Sequence, residues 1–263
     1  TEYVLNRMVS ENLITINERE LALQSNIDMV NPRVESDPNL YFVNHVLEQI
    51  EKDYGKEFVH FGGLKILTTL DTRYQELAFK SARNHLEALE GRVVREPGAG
   101  PLQAALVAIE NKSGAVRAML GGRDYSYSQF NRAVSNNRLP GSSFKPFVYF
   151  TAMEELGYSP ATVVKDEPLT IDIPGSKPWS PQNFDEEFVG NIVLKKALMK
   201  SINIISAKLV NEVGPEKVIR TARQFGIKSP LGKNLSLALG TSGVSPYEIA
   251  SAYSVIANLG IYN

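Results

Sequence analysis

The strongest constraint on the fold is a single strand hairpin placed ahead of a block of helices. Residues 102–110 (LQAALVAIE) and 115–122 (AVRAMLGG) have the composition of strands, and NKSG between them provides the turn. Helical patterns dominate later in the chain, at 191–200, 204–213, 215–226 and 245–260. This order predicts an α+β fold, with an antiparallel sheet flanked by helices. Because two strands alone do not make a stable sheet, we expect further strands beyond residue 263 and an incomplete fold in this chain.

The first forty residues are predicted to be the end of one domain followed by a connector. Residues 1–25 contain two short helical patterns, and Thr15 and Glu18 have the spacing of a capping box for the second. This segment is too short to bury a core of its own. Residues 26–40 are polar and contain prolines, so they are predicted to connect it to the next region of the chain.

A small linker domain is predicted next. Residues 41–55 form an amphipathic pattern, and 62–71 (GGLKILTTLD) alternate and are rich in β-branched side chains, which predicts a strand. Thr72 and Gln75 again have capping-box spacing and predict the start of a long helix. The loose stretch REPGAGP at 95–101 is the best domain boundary in the chain.

Composition and charge exclude several classes of function. The 263 residues carry a formal net charge of −1, which gives no reason to expect nucleic acid as a partner. There is no cysteine, and this excludes a disulfide scaffold and thiolate metal sites. The three histidines (His45, His60 and His85) lie far apart, so we expect no metal site. No apolar run reaches the length of a membrane span, and no signal peptide is visible.

The segment RLPGSSFKPF, residues 138–147, brings two serines close to a lysine and a proline. Proline lacks an N–H, which costs little only among the first four residues of a helix, so Pro146 predicts a helix start near Gly141–Ser143. Helical residues three apart share a face and residues two apart do not. The spacing therefore allows Ser142 to meet Lys145, while Ser143 points elsewhere.

A serine and a lysine in this arrangement permit two interpretations. If burial lowers the pKa of Lys145, its neutral amine can take the proton of Ser142, and the helix N-terminus stabilises a developing oxyanion. In the simpler interpretation Ser142 is a helix cap and Lys145 is solvated. The S-x-x-K pattern alone does not decide between them.

A second polar group, Ser201-Ile202-Asn203, lies where one helical pattern ends near Met199 and the next begins at Ile204. Within a helix, the side chains of Ser201 and Asn203 would point in different directions, so both can face one cleft only if they lie in a turn between helices. Ser201 can then relay a proton, and Asn203 can hold both a lysine and a substrate carbonyl. As an alternative, Asn203 is the N-cap of the following helix.

Together these residues resemble the active-site serine transpeptidases, the penicillin-binding proteins, which carry S-x-x-K, S-D-N and K-T-G motifs. Ser142–Lys145 match the first motif, and Ser201–Asn203 match the second in an S-x-N form. The likeness extends along the chain and is closest to class A, bifunctional penicillin-binding proteins. Five segments carry it: VLNRMVSENLITINERE, GGLKILTTLDTRYQELA, FNRAVSNNRLPGSSFKPF, WSPQNFDEEFVGNIVLKKALMKSIN and ALGTSGVSPYEIASAYSVIANLG.

The resemblance implies three regions. Residues 1–25 would be the C-terminal tail of a glycosyltransferase domain, 26–98 a linker region, and 99–263 the N-terminal part of the penicillin-binding transpeptidase domain. No K-T-G occurs, and the only K-S-G, at 112–114, lies in the hairpin turn. The third motif is expected on a strand beyond residue 263. We therefore expect these residues to be a fragment, or one chain of a cleaved protein, and to be inactive alone.

The resemblance also implies an activity and its residues. Ser142 would attack the D-alanyl-D-alanine end of a peptidoglycan stem peptide, D-alanine would leave, and the amine of a neighbouring stem would resolve the acyl-enzyme into a cross-link. Lys145 would be the base, Ser201 the proton relay, and Asn203 a contact to the substrate amide. Trp179 and Asn183 are candidate substrate-binding residues, with core packing the alternative for Trp179.

The implied surroundings are those of cell-wall synthesis. The partners would be stem peptides, the lipid-linked precursor, β-lactam antibiotics and other wall-synthesis proteins, and no cofactor is expected. The enzyme would be anchored in the inner (cytoplasmic) membrane by one N-terminal helix absent from this sequence, with its catalytic domain on the periplasmic side.

Two alternatives stay open. In a β-lactamase or DD-carboxypeptidase, water would resolve the acyl-enzyme, but the E-x-x-L-N motif of class A β-lactamases does not follow Asn203. A non-catalytic penicillin-binding-like scaffold would not need intact catalytic motifs. The two motifs found in this sequence, S-x-x-K and S-x-N, are intact, which argues against a scaffold.

Overall fold

The computed structural model describes residues 2–24, 37–94, 96 and 98–262. The chain forms two compact units, Thr1–Glu35 and Ser36–Asn263. None of the described helices is both long and apolar enough to cross a membrane. The predicted connector at 26–40 lies largely outside the described residues, as do two positions of the predicted boundary at 95–101.

The smaller unit contains two short helices, α1 (Glu2–Ser10) and α2 (Ile16–Gln24), which pack against each other. The predicted capping box of α2 is confirmed, because the Glu18 N–H donates to Thr15 Oγ1 at 3.2 Å and the Thr15 N–H donates to the Glu18 carboxylate at 2.7 Å. Neither of these two described helices has a buried residue.

The larger unit begins with three helices, α3 (Leu40–Tyr54), α4 (Lys56–Phe61) and α5 (Thr72–Glu90). The amphipathic helix predicted at 41–55 is confirmed as α3. The capping box predicted on Thr72 and Gln75 is wrong, because the N-cap of α5 is Asp71, whose carboxylate accepts from two backbone N–H groups.

Gln75 has a different role, because it is buried against the hairpin. The hairpin is confirmed as β1 (Leu106–Ile109) paired antiparallel with β2 (Val116–Leu120), with Val107 opposite Met119. The Gln75 amide accepts from the Met119 N–H at 2.8 Å and donates to the Met119 carbonyl at 2.9 Å. It therefore takes the place that a neighbouring strand would have beside Met119.

The strand predicted at 62–71 is wrong, since the structure describes this segment without a strand. Only its end follows β2, where the Asp71 N–H donates to the Arg117 carbonyl at 3.0 Å and Thr69 Oγ1 donates to the Val116 carbonyl at 2.8 Å. Further along β2 the Gln75 side chain occupies the edge, so the segment has no ladder partner there and its side chains lie mostly in solvent.

A helical block follows, and it positions the candidate site. In chain order its helical elements are a 3₁₀ turn (Gly141–Phe144), α6 (Lys145–Leu156), α7 (Leu194–Met199), α8 (Asn203–Val213), α9 (Pro215–Gln224), a second 3₁₀ turn (Leu235–Leu239) and α10 (Pro246–Ala257). The most buried of these is α8, which packs on α6 and on the second 3₁₀ turn and has seven buried side chains. Most of them belong to the main core, a cluster of buried apolar side chains that includes Phe147, Leu209 and Leu237. The predicted N-terminus of α10 is confirmed by a complete capping box of Ser245 and Glu248.

A second antiparallel pair was missed from the sequence. Strand β3 (Val163–Asp166) pairs with β4 (Gly190–Val193), with Val163 opposite Val193. The helix predicted at 191–200 therefore begins only at Leu194, because residues 190–193 are in the sheet. The predicted α+β class is confirmed, with two two-stranded antiparallel sheets in the part of the chain that the structure describes.

Candidate active site

Ser142 lies in the 3₁₀ turn Gly141–Phe144, here called the serine turn, which runs directly into α6. The predicted helix start is confirmed, and Pro146 falls in the first turn of α6. A 3₁₀ turn has three residues per turn, so Ser142 and Lys145 lie on the same face, and the Lys145 N–H donates to the Ser142 carbonyl. The Ser142 side chain is exposed, and its hydroxyl has no hydrogen-bond partner among the described residues. A substrate can therefore reach it.

Two glycines seat the serine turn on the backbone that precedes α10. The Gly141 N–H donates to the Gly240 carbonyl at 3.3 Å, and both residues have positive φ, +57° and +67°. A Cβ atom on Gly240 would overlap the backbone of Gly141. The position of Ser142 thus depends on direct backbone contact with a glycine a hundred residues later in the chain.

Lys145 is completely buried, with 0% of its surface exposed. Its Nζ donates to Asn203 Oδ1 at 2.7 Å, to the Ser201 carbonyl at 2.6 Å and to Ser201 Oγ at 3.0 Å. Burial disfavours the charged form and lowers the pKa of Lys145 to about 8. The structure therefore brings Lys145, Ser201 and Asn203 together at the base of the serine turn.

The three partners of Lys145 suit both protonation states of its amine. An ammonium group donates three hydrogen bonds, and three acceptors are present. After one proton is lost, the Ser201 carbonyl and Asn203 Oδ1 still accept the two remaining N–H bonds. The third position on the amine is then a lone pair, which is available to accept the proton of Ser142. The site can accordingly move a proton without leaving a buried polar atom unpaired.

Ser201 occupies the turn between α7 and α8, as predicted, and its φ is +55°. The Ser201 N–H donates to the Leu198 carbonyl and the Ile202 N–H donates to the Ala197 carbonyl. This pair of bonds is a Schellman motif, and glycine is the usual residue at the left-handed position. A serine in this conformation is strained. Its hydroxyl contacts Lys145, and this contact is a reason for a serine and not a glycine at position 201.

Asn203 is the first residue of α8, and its amide is held at both ends. Its Oδ1 accepts from Lys145, and its Nδ2 donates to the Gln182 carbonyl at 2.9 Å. The alternative role of N-cap is wrong, because Ile202 is in the N-cap position and the helix has no cap from its own first residues. Instead Asn183 Oδ1 accepts the N–H groups of Asn203 and Ile204 at 3.0 and 3.2 Å.

The other two predicted substrate-binding residues, Asn183 and Trp179, are buried or partly buried in the structure. Asn183 is 8% exposed, and its Nδ2 donates to both oxygens of Asp166 at 3.0 and 3.1 Å. Trp179 is partly buried against the main core, and its backbone pairs with Ile171. Asp166 and Gln182 were missed from the sequence, because neither belongs to a motif and a single aspartate in a polar segment carries no signal of its own.

One cavity borders the site, and a larger one lies apart from it. A cavity of about 180 Å³ lies beside Ser201 and is lined by Asp166, Asn183, Phe184 and Lys200 among others. A larger, mostly apolar cavity of about 620 Å³ lies between α6, α9 and the end of α10 and contains none of the predicted catalytic side chains. Among the described residues, no group of three His, Asp or Glu side chains is arranged to hold a metal ion.

The sequence was compared with protein families and with curated proteins, and both comparisons found similar proteins. Residues 104–263 match the family model described as the penicillin binding protein transpeptidase domain. Penicillin-binding protein 1A of Pseudomonas aeruginosa is 42% identical over 171 residues, which cover 64% of this chain and 20% of that protein. The aligned part of the chain thus spans about a fifth of the length of this curated relative.

Two solved structures have a similar fold. The crystal structure of penicillin-binding protein 1A from Haemophilus influenzae aligns with a TM-score of 0.74 at 24% identity, over 98% of this chain and 51% of the other. PonA1 of Mycobacterium tuberculosis, solved in complex with penicillin V, aligns with a TM-score of 0.69 at 27% identity, over 86% of this chain and 60% of the other.

Proposed function

The chain belongs to the penicillin-binding protein transpeptidase family, and on this premise we propose that it is part of a serine D,D-transpeptidase that cross-links peptidoglycan. One observation carries the proposal: a fully buried lysine, bonded to Ser201 and Asn203, lies one helical turn from an exposed serine whose hydroxyl is free among the described residues. This arrangement provides a nucleophile, a base and a proton relay without histidine.

In the first half of the reaction, Ser142 Oγ attacks the carbonyl of the D-alanyl-D-alanine peptide bond, and its proton passes to the neutral amine of Lys145. The C–N bond breaks, and Ser201 Oγ hands a proton to the departing amine of D-alanine while it takes one from Lys145. The stem peptide is left as an ester on Ser142.

In the second half of the reaction, the amine of a second stem attacks that ester, and the same groups move its proton back to the serine. A β-lactam ring opens on Ser142 by the same attack.

The wider context is proposed from the resemblance of five segments of the chain to class A penicillin-binding proteins. We assign residues 1–25 to the end of a glycosyltransferase domain, 26–98 to a linker and 99–263 to the N-terminal part of the transpeptidase domain. The proposed partners are stem peptides, the lipid-linked precursor, β-lactams and other wall-synthesis proteins. The proposed location is the inner membrane, with the catalytic domain on its periplasmic side.

Fluorescent penicillin tests the proposal in the full-length protein. We expect Ser142→Ala to abolish covalent labelling, because no nucleophile is left on the face of Lys145. Ser143→Ala is the matched control and should retain labelling, since Ser143 contributes its carbonyl to Tyr253 and not its hydroxyl to Lys145. Labelling that survives in Ser142→Ala and is lost in Ser143→Ala would overturn the assignment.

The lifetime of the adduct separates the transpeptidase from a β-lactamase and from a non-catalytic scaffold. Mass spectrometry after penicillin treatment should find a stable acyl group on Ser142 in a transpeptidase. Rapid release of penicilloate would instead indicate a β-lactamase, and absence of any adduct in the folded full-length protein would indicate a non-catalytic scaffold.

A further inference from the structure

Asp166, at the end of β3, is a buried carboxylate without a cationic partner among the described residues. It is 1% exposed, and no lysine or arginine of that part of the chain lies within ion-pair distance. Its oxygens accept only from neutral donors, Asn183 Nδ2 and the Val189 N–H, the latter at 3.0 Å. A buried charge is costly unless its hydrogen bonds are complete, so this carboxylate holds its donors firmly in place.

These donors belong to residues 182–189, here called the 182–189 loop, which connects the Trp179 region to β4. Asn183 lies at one end of the loop and Val189 at the other, so one carboxylate bridges both ends. Asn183 Nδ2 also donates to the Glu187 carbonyl within the loop, at 2.9 Å. The conformation of the loop is therefore fixed from inside the protein, by Asp166.

The 182–189 loop in turn fixes the N-terminus of α8. The N–H groups of Asn203 and Ile204 both donate to Asn183 Oδ1, and such end groups have no partner within their own helix. Asp166 determines which way the Asn183 amide faces, because its oxygens require Nδ2. Only then is Oδ1 left to accept from α8.

The same loop also orients the side-chain amide of Asn203. The Gln182 carbonyl accepts from Asn203 Nδ2, which leaves Oδ1 facing the Lys145 amine at 2.7 Å. If this amide turned over, its NH₂ group would face the donors of Lys145, and its oxygen would face the Gln182 carbonyl. Both contacts would then be repulsive.

From these contacts we infer that Asp166 is a positioning residue for acylation of Ser142, acting through the 182–189 loop on Asn203 and thereby on Lys145. The inference rests on the proposed function, since it concerns the same site. It adds a residue outside the sequence motifs, connected to Lys145 through two intervening residues, Asn183 and Asn203.

The test is the second-order rate constant for acylation by fluorescent penicillin, measured per active site from pH 6 to 10 in the full-length protein. We expect Asp166→Ala to lower the limiting rate about tenfold to a hundredfold, the effect of misdirecting one hydrogen bond to a charged group. The midpoint of the pH profile should move to lower pH, because loss of the Asn203 oxygen destabilises the ammonium form of Lys145. Asp166→Asn retains one oxygen for Asn183 or Val189, so its rate should lie between those of Asp166→Ala and the wild type.

Asp71→Ala is the matched control, since it removes an aspartate that caps α5 and makes no contact with the site. It should lower thermal stability without moving the rate per active site or the pH midpoint. If Asp166→Ala behaves in the same way, the positioning role is wrong. If Asp166→Ala does not fold, the pH midpoint of Asp166→Asn decides, and an unshifted midpoint with an unchanged rate overturns the inference. Failure of the proposed function would look different, because Ser142→Ala would still be labelled.

Discussion

The chemistry proposed for Lys145 depends on how often its amine is neutral. With a pKa of about 8, roughly one amine in ten is neutral at pH 7, against roughly one in 2,500 for an ordinary lysine. Burial alone provides this gain of more than two orders of magnitude, and it does so while hydrogen-bond partners remain available for both forms. Lys145 is thus suited to act as a base near neutral pH.

Acylation by penicillin is therefore expected to rise with pH and to level off above a midpoint near 8. The sign follows from the role of base, because only the deprotonated amine accepts the Ser142 proton, and this form is lost as pH falls through the folded pKa. Stopped-flow labelling from pH 6 to 10 measures the profile. Lys145→Arg is the informative variant, since it keeps the positive charge but cannot be deprotonated in this range, and it should lose labelling at every pH. A wild-type rate that falls as pH rises would contradict the role.

Ser201 combines a strained backbone with a hydroxyl that contacts Lys145, and two substitutions separate these properties. Ser201→Gly removes both the hydroxyl and the strain, whereas Ser201→Ala removes only the hydroxyl. We expect the glycine variant to be more stable than the alanine variant by about 1 kcal/mol, the cost of a left-handed residue with a Cβ. Both should be acylated slowly. Urea unfolding and penicillin labelling measure the two effects, and wild-type labelling in Ser201→Gly would remove Ser201 from the relay.

At the scale of elements, the serine turn depends on close backbone contact. We expect Gly240→Ala to destabilise the protein by about 2–4 kcal/mol, because the new Cβ adds left-handed strain and overlaps the Gly141 backbone. It should also slow acylation, since the serine turn must shift to relieve the overlap. Thermal unfolding and penicillin labelling give the two readouts.

Gly157 provides the control for this prediction. Its φ of +66° nearly equals that of Gly240, but a Cβ there meets no atom within 4 Å. Gly157→Ala should therefore cost only about 1 kcal/mol and leave the acylation rate per folded molecule unchanged. Equal effects of the two substitutions would show that strain, and not backbone contact, is what matters at Gly240.

The elements that sequence predicted correctly are those with local signals. Capping boxes at Thr15 and Ser245, the early proline at Pro146 and the turn in the β1–β2 hairpin all act within a few residues, and each is found in the structure. Strands are different, because a strand exists only if a partner is present. The 62–71 segment has the composition of a strand and lacks the partner, and β4 was mistaken for the start of a helix although β3 pairs with it.

The candidate site divides in the same way. Spacing was enough to place Ser142 and Lys145 on one face, although the Ser142 hydroxyl bonds to no described residue. The interruption of two helical patterns was enough to place the turn at Ser201. Asp166, Gln182 and the capping role of Asn183 could not be predicted, because they arise where a loop from one part of the chain meets the end of a helix about twenty residues later. Their residue types in isolation are ordinary for a surface loop.

Across the larger unit, α10 connects two regions of packing. Ala252 and Val255 belong to the main core around α8, whereas Tyr247 of the same helix packs on the cluster of Phe42 and Met119 beneath the hairpin. The hairpin thus has its own small core, which contains none of the proposed catalytic side chains. Stability of the hairpin region and chemistry at Ser142 should accordingly respond to different substitutions.

Gln75 allows this separation to be tested. Gln75→Leu would leave the buried N–H and carbonyl of Met119 without partners, and each such group costs about 1–3 kcal/mol. We expect lower stability in urea and faster hydrogen exchange at the Met119 amide, with little change at the amides of α8. The acylation rate per folded molecule should stay at the wild-type value, because the described hydrogen-bond partners of the Gln75 side chain are Pro38 and Met119, which lie outside the site.

Gln49→Leu makes the same chemical change on the exposed face of α3, where the one described hydrogen-bond partner of the Gln49 side chain is the ring of His45. The free energy of unfolding should change by no more than about 0.5 kcal/mol, and hydrogen exchange at the Met119 amide should stay unchanged. If Gln75→Leu also slowed acylation of the folded protein, the hairpin and the helical block would be coupled through α10. The linker region would then influence the state of the catalytic serine, and the two cores would have to be treated as one cooperative unit.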